Sequence, residues 1–271
     1  MAGGVKVENR PEAVEPPRPR RQGDRRGDAD KSSVQSVQRA ADVLDAVAAT
    51  VEPLTVRQIA QATGLDRTVA HRQARTLAQL GFLEEGDGAY RLGPRLLLLG
   101  NAYLDRLAIR RAVLPFAVDL QIRAVAGHPW VVGVAVPVGA DAVLIDRIWT
   151  PETPLDSILD VGTRLPIDRS ANGRAMLAYY DDDEVVALVG AERAAELAPV
   201  LADIRASGGI ALSSNERRPG ISAIAAVVRG RSGRPVGAIA ISGPELEEHL
   251  STTSVLAEHL SRTAASIGMM L

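Results

Sequence analysis

From Val34 to Ala49 the apolar residues Val37, Ala40, Ala41, Leu44, Val47 and Ala48 recur at spacings of three and four, which predicts a one-faced helix. Pro53 stops anything longer. Thr55 is placed to cap a second helix reaching Ala62, anchored by Ile59. Gly64 then supplies the left-handed backbone that a tight turn between helices needs. Asp66 can cap a third helix, whose Val69, Leu77 and Leu80 are expected to face inward, and Gly81 closes it. Phe82-Leu83 and Tyr90-Arg91-Leu92 read as two short strands around Gly86-Asp87-Gly88.

Leu96 to Leu114 continues as a helix with Leu104, Leu107 and Leu114 on one stripe. Pro115 cannot continue that helix but can open the next one at its first position, with Val118, Ile122 and Val125 as the apolar face. The first is read as a linker and dimerisation helix and the second as the start of another domain. The alternative is that both are core helices of one domain. Beyond Gly127 the period shortens to two. Trp130–Val138, the turn Gly139-Ala140-Asp141 and Ala142–Trp149 form a hairpin pattern, with the two tryptophans as core or pocket wall. Residues 171–180, 183–189 and 199–207 read as helices, and 210–213, 221–228 and 235–242 as strands. A closing helix from Glu245 carries Leu256, Leu260, Ile267 and Leu271. Strands, helices, strands and a final helix give an α+β domain on a mostly antiparallel sheet. The expected divisions are a disordered tail over 1–32, a head over 33–95, a linker helix over 96–114 and a second domain over 115–271.

The head pattern, two short helices meeting at Gly64 followed by a Gly-rich hairpin, is the layout of a winged helix-turn-helix, which presents its second helix to the major groove of DNA. A formal net charge of -2 does not announce a nucleic-acid binder, yet locally Arg67, Arg72 and Arg75 stand against Asp66 alone. An arginine can take O6 and N7 of guanine with two hydrogen bonds. Arg67, Thr68, His71 and Arg72, near the start of the third helix, are therefore the expected base readers. Arg75 one turn later, Arg91 on the wing, and Thr55 and Arg57 at the start of the second helix are the expected phosphate contacts. In the tail, Arg18, Arg20, Arg21, Arg25 and Arg26 are interleaved with Asp24, Asp28 and Asp30, so a solvated segment is favoured over one that binds phosphates.

At 46% apolar residues the chain can bury a core in each domain. The absence of cysteine excludes disulfides, thiolate metal sites and cysteine nucleophiles. With neither a leader pattern nor an 18-residue apolar run, a soluble cytoplasmic protein without membrane partners is expected. No cofactor or metal site is expected. Asp181-Asp182-Asp183-Glu184 fits the cap and acidic first turn of a helix better than a cation site. His249 and His259 are expected on different faces of the closing helix. Gly230–Gly233 lacks the GK[ST] of a phosphate loop.

Several segments in order resemble the IclR family of bacterial transcriptional regulators, over roughly residues 33–270. They are SVQSVQRAADVLDAVA, IAQATGLDRT, LGFLEE, YRLGPRLLLLG, VGTRLPIDRSANGRAMLA and AIAAVVRGRSGRPVGAIAISGP. The resemblance implies a winged-helix head joined by a helix to a GAF-like effector-binding domain, assembled as dimers or dimers of dimers on palindromic operators. Gln73 stands where members usually carry an apolar residue.

Asp168-Arg169-Ser170-Ala171-Asn172-Gly173-Arg174-Ala175 stands where members usually show His-Ala-Ser/Thr-Ala-x-Gly-Lys-Ala. Ser170 would cap a helix whose free amides, from Ala171, Asn172 and Gly173, suit an acceptor group. Relatives that bind small organic acids have Asp, Cys and two Ser where this chain aligns Ser213, Ala223, Ala240 and Ser242, of which only Ser242 is unchanged. A buried carboxylate with too few partners costs several kcal/mol. The expected effector is thus less polar than glyoxylate or pyruvate, an aromatic or acyl compound with one acceptor end. Arg169 and Arg174 are expected at the surface, although an inward one would supply the missing charge. Two competing readings remain. One is a ligand-blind DNA-binding regulator that acts through a partner. The other is an enzyme on the GAF-like fold, such as a free methionine sulfoxide reductase, which lacks its cysteine here and has no Gly-x-Ser-x-Gly substitute.

Overall fold

The computed structural model describes residues 34–271, and the tail expected over 1–32 lies outside the described residues. The described residues fall into two compact units that divide between Ala102 and Tyr103.

The first unit begins with α1 (Gln35–Ala48), β1 (Leu54–Thr55), α2 (Val56–Thr63) and α3 (Arg67–Gln79). The wing strands β2 (Leu83–Gly86) and β3 (Ala89–Leu92) follow, and then α4 (Arg95–Leu104). Local chemistry sets each boundary. The Thr55 amide donates to Oε1 of Gln58 at 2.9 Å while the Gln58 amide donates to Thr55 Oγ1 at 3.4 Å. This capping box satisfies two donors that a helix start leaves free. Gly64, at φ +68°, turns the chain out of α2, and the Asp66 carboxylate accepts the Thr68 amide at 2.8 Å to open α3. That amide first, and then the Thr68 hydroxyl, hold the Asp66 carboxyl below its ordinary pKa.

Burial corrects the expected inner face of α3. Ala70, Ala74 and Leu77 are buried, Val69 is half-buried and Leu80 is exposed. The two alanines and Leu77 share one stripe that meets Val43 and Val47 of α1 and Ile59 of α2, so Val69 and Leu80 fall at its margins. Gln73 also sits at that margin, half-buried. The strand β1 pairs with β3 through Leu54 and Tyr90; two residues are too few to carry a period. Gly93 closes the wing. Its amide donates to the Phe82 carbonyl at 2.8 Å, and a Cβ there would stand 2.4 Å from the Gly81 carbonyl oxygen. Arg95 bonds the Leu80 carbonyl at 2.9 Å and lies 4.7 Å over the Phe82 ring, which ties the start of α4 to the end of α3.

The second unit begins with α5 (Ala108–Ala124), β4 (Val131–Val138), β5 (Asp141–Ile148) and β6 (Arg164–Pro166). The helices α6 (Ala171–Leu177), α7 (Asp182–Val189) and α8 (Ala191–Ala206) come next. The strands β7 (Ile210–Ser214), β8 (Ile221–Arg229) and β9 (Pro235–Pro244) precede the closing helix α9 (Val255–Met269). The strands form one sheet in the order β6-β5-β4-β9-β8-β7, and every described pairing in it is antiparallel. Helices α5 and α9 cover one face, over Val132, Val134, Ile224, Ile239 and Ile241. Helix α6 packs on the other face with α7 and α8 beside it.

Helix α5 corrects the division expected at Pro115. The helix break falls at residues 105–107, and Pro115 lies inside α5. Proline there removes one N–H and frees the carbonyl of Arg111, but both residues are exposed, so water can take that carbonyl. Ile109, Ala112, Val113, Ala117 and Leu120 keep one continuous buried stripe past it. Pro199 is likewise exposed inside α8, which begins at Ala191 rather than at 199. The closing helix starts at Val255, capped by Ser254, after a separate 3-10 turn at Leu246–His249.

Candidate nucleic-acid interface and ligand face

At about 100° per residue, the buried stripe of α3 leaves Thr68, Arg72, Arg75 and Gln79 on the opposite side of the helix. Arg67 and His71 lie on one flank, and all six residues are exposed. Among the described residues no carboxylate pairs with Arg67, Arg72 or Arg75. Unopposed guanidinium groups on a rigid, capped helix are what base edges and phosphates require. Gln79 was not among the expected contacts, although its spacing from Arg72 and Arg75 marks the same face.

The remaining expected DNA contacts differ in their freedom. Arg57 is exposed. Thr55 has its hydroxyl committed to the capping box, donating to Gln58 Oε1 at 2.7 Å. Arg91 pairs across the wing with Glu84 at 2.8 Å. A surface pair of this kind is worth only about 0–1 kcal/mol, so a phosphate can take Arg91 over. Beneath them the Tyr90 hydroxyl is buried without a hydrogen-bond partner; burial first and then the Glu85 carboxylate raise its pKa, while Arg75 acts against them.

In the second unit the register gathers the expected ligand residues on the α6 side of the sheet. Ser213 pairs with Ala223, and Ala223 with Ser242, which in turn faces Val131. One step along, Ala211, Ala225, Ala240 and Gly133 form the neighbouring row. Helix α6 packs over these small side chains, and its own entry is tight: a Cβ on Gly173 would stand 2.3 Å from the carbonyl oxygen of Ile167 in the β6–α6 connection. Ser170 caps α6, its Oγ accepting the Gly173 amide at 3.0 Å and donating to the Pro166 carbonyl at 2.9 Å. Ala171, Asn172 and Gly173 are all buried, and the Asn172 Oδ1 has no hydrogen-bond partner.

Arg174 turns inward, contrary to its expected exposure. Its side chain is 12% exposed, pairs with Glu216 and donates to the Arg169 carbonyl. Its charge is therefore already matched. Arg169 stays outside. Nothing near Arg174 in the sequence signals this, because Glu216 lies beyond two helices and a strand.

The other sequence signals resolve into structure. Asp181 and Glu184 close a capping box on α7, and Arg234 with the Asp181 amide keeps the Glu184 carboxyl below its ordinary pKa. His249 sits in the 3-10 turn rather than on α9, so it shares a cleft of about 200 Å³ with His128, Trp130 and His259, on the α5–α9 side. Trp130 is buried, stacked at 3.9 Å on His128, whereas Trp149 is half open beneath the Arg147 guanidinium. Another cleft, of about 480 Å³, lies between the start of α5 and Met270-Leu271. Neither cleft touches α6. No helix among the described residues is long and apolar enough to cross a membrane.

Comparison with known proteins agrees with this architecture in both units. Residues 101–269 match the family described as "Bacterial transcriptional regulator IclR C-terminal", and residues 36–87 match "IclR helix-turn-helix domain". The glycerol operon regulatory protein of Streptomyces coelicolor is 32% identical over 221 residues, 78% of this chain and 85% of that protein. An IclR family transcriptional regulator from Brucella abortus superposes with a TM-score of 0.72 at 24% identity, over 90% of this chain and 95% of that one. An IclR homologue from Microbacterium hydrocarbonoxydans, solved in complex with 4-hydroxybenzoate, gives a TM-score of 0.69 at 23% identity, over 87% of this chain and 98% of that one.

Proposed function

The chain belongs to the IclR family of bacterial transcriptional regulators, and on that premise we propose how its two units divide the work. Helix α3 enters the major groove. There Thr68 and Arg72, with Arg67 and His71 on the flank, read base edges, while Arg75, Arg57 and Arg91 hold phosphates. The observation that carries this is the exposed, unopposed row on α3, backed by the buried Ala70, Ala74 and Leu77. Two copies present two such helices to a palindromic site, joined through α4, whose Leu97, Leu98 and Leu99 are exposed. Substituting a phosphate contact acts alike on every sequence. Arg75→Ala is expected to weaken binding to specific and random duplexes by similar factors, and to reduce the salt slope by about 1 per head. Anisotropy titrations at several salt concentrations check this; an unchanged slope would remove Arg75 from the interface.

The α6 side of the second unit binds a small effector of low polarity. The partnerless Asn172 Oδ1 and the hydroxyls of Ser213 and Ser242 offer a few polar contacts on a face otherwise apolar, in which alanines predominate on the sheet. Arg174 adds no free charge, since Glu216 already balances it. Such a face suits an aromatic or acyl compound with one polar end and disfavours a compact two-carbon acid. An effector acts only by preferring one arrangement of the heads over another. Calorimetric titration of the full chain with glyoxylate, pyruvate, 4-hydroxybenzoate and a short acyl acid tests the reading. An aromatic or acyl ligand is expected to bind; tight glyoxylate binding would contradict it. A regulator that ignores ligands and works through a partner protein is the second reading, favoured by the alanines that stand at 223 and 240 where polar side chains would hold a ligand.

A further inference from the structure

We propose that residues 149–163 form a strap over the α6 side of the sheet, fastened by two arginines, that gates entry to this face. The inference rests on the reading of the face as a ligand site, and it names how that site opens.

The strap leaves the end of β5, yet Asp156 meets Arg218 in the β7–β8 loop; Arg218 donates to the Asp156 carbonyl oxygen and, at 3.0 Å, to its carboxylate. Strands β4 and β9 lie between β5 and β8, so the segment spans the sheet end where Val131, Ser242, Ala223 and Ser213 form the last row. Its side is fixed by Arg147. That residue pairs in register with Gly133, whose row continues through Ala240, Ala225 and Ala211 in the core beneath α6. From that face Arg147 donates to the Leu159 carbonyl and, at 2.9 Å, to the Asp160 carboxylate, while Leu159 packs on the same core.

The far end of the strap is tied back to β5, where the Gly162 amide donates to the Leu144 carbonyl at 2.7 Å and the Leu144 amide to the Thr163 carbonyl at 3.0 Å; between there and β5's end little else holds it. Between residues 150 and 161 its backbone bonds are local turns: Thr153 to Thr150, Ser157 to Pro154 and Ile158 to Leu155. Among the described residues, the hydrogen bonds from this stretch to other elements come from Arg147 and Arg218. Thr153 is its one buried residue, and Leu155 is 83% exposed. Few apolar contacts, local bonds and, at Arg218–Asp156, an exposed ion pair are the marks of a segment that opens at small cost, with the largely buried Arg147 side as its hinge.

A chain without cysteine makes the test direct. Ala223→Cys places one thiol under the strap, and its modification rate by iodoacetamide reads opening without any effector. With the strap latched, labelling is expected to be much slower than for the same chain unfolded in urea. Arg218→Ala or Asp156→Asn should each speed it roughly two- to fivefold, the Boltzmann factor of a surface ion pair. Exchanging the partners, Asp156→Arg with Arg218→Asp, should restore part of the slowing, since the ion pair is rebuilt while the bond to the carbonyl of residue 156 is not. Arg123→Ala, which breaks an equally exposed pair with Asp119 on α5, should change nothing. Labelling that is fast from the outset, or indifferent to both latch variants, overturns the gate. Because no ligand enters this measurement, a failed effector titration would count against the site and not against the strap.

Discussion

Arg72→Ala is expected to cost roughly 1–3 kcal/mol of operator affinity per head, about 5- to 150-fold for each half-site, and to relax the base preference at one position of each half-site. Packing sets which residues of α3 face outward. Ala70 and Ala74 are fully buried and Leu77 nearly so, which fixes the rotation of α3 within the head. Given that rotation, Arg72 and Thr68 stand furthest from the core in the first two turns, where a recognition helix meets base edges. Arg72 has no carboxylate partner among the described residues, so it brings its full hydrogen-bonding capacity to the groove. Anisotropy titrations against the chain's own upstream DNA and single-base variants of it should show the mutant treating one base pair as indifferent. Loss spread evenly over all variants would instead make Arg72 a phosphate contact.

Gly173→Ala is expected to destabilise the second unit by roughly 3 kcal/mol, the upper end of what overpacking usually costs. The added Cβ would stand 2.3 Å from the carbonyl oxygen and 2.4 Å from the Cα of Ile167. Both are backbone atoms, so no rotamer change can relieve the contact, and the β6–α6 connection at Ile167 must move away from α6. A thermal midpoint lowered by about 6–12 °C is the expected reading for a domain of this size. Gly100→Ala in α4 supplies the opposite sign. Nothing lies within 4 Å of a Cβ there, so the first unit should gain roughly 0.5–1 kcal/mol from helix propensity alone. If Gly173→Ala melts like the wild type, α6 does not pack on Ile167 as described.

The head was the more legible part because its boundaries are written locally. Thr55 with Gln58, Gly64 and Asp66 each act within a few residues, and the structure uses each as the spacing suggests. The inner face of α3 was misread because alanine carries little hydrophobic signal; its burial comes from the close approach of α1 and α2. The break expected at Pro115 failed for a related reason. A proline stops a helix only where its freed carbonyl has no other partner, and exposure is a tertiary fact. On the ligand side, alternation placed the strands, but the row that joins Ser213, Ala223 and Ser242 depends on the register of β7, β8 and β9, and its continuation to Val131 on the pairing of β4 with β9, far apart in the chain. The inward turn of Arg174 and the clasp of Arg218 on Asp156 rest on partners 42 and 62 residues away, beyond any local pattern.

Salt titration of the wild-type chain on duplex DNA from upstream of its own gene bears most directly on the central claim, that α3 is held in a groove of the double helix. With the three arginines proposed to hold phosphates on each of two heads, the logarithm of the binding constant should fall linearly with the logarithm of salt concentration, with a slope of about −5. At low ionic strength the upstream duplex should be bound well ahead of random DNA. No binding at low salt, or a slope near zero, would contradict the account.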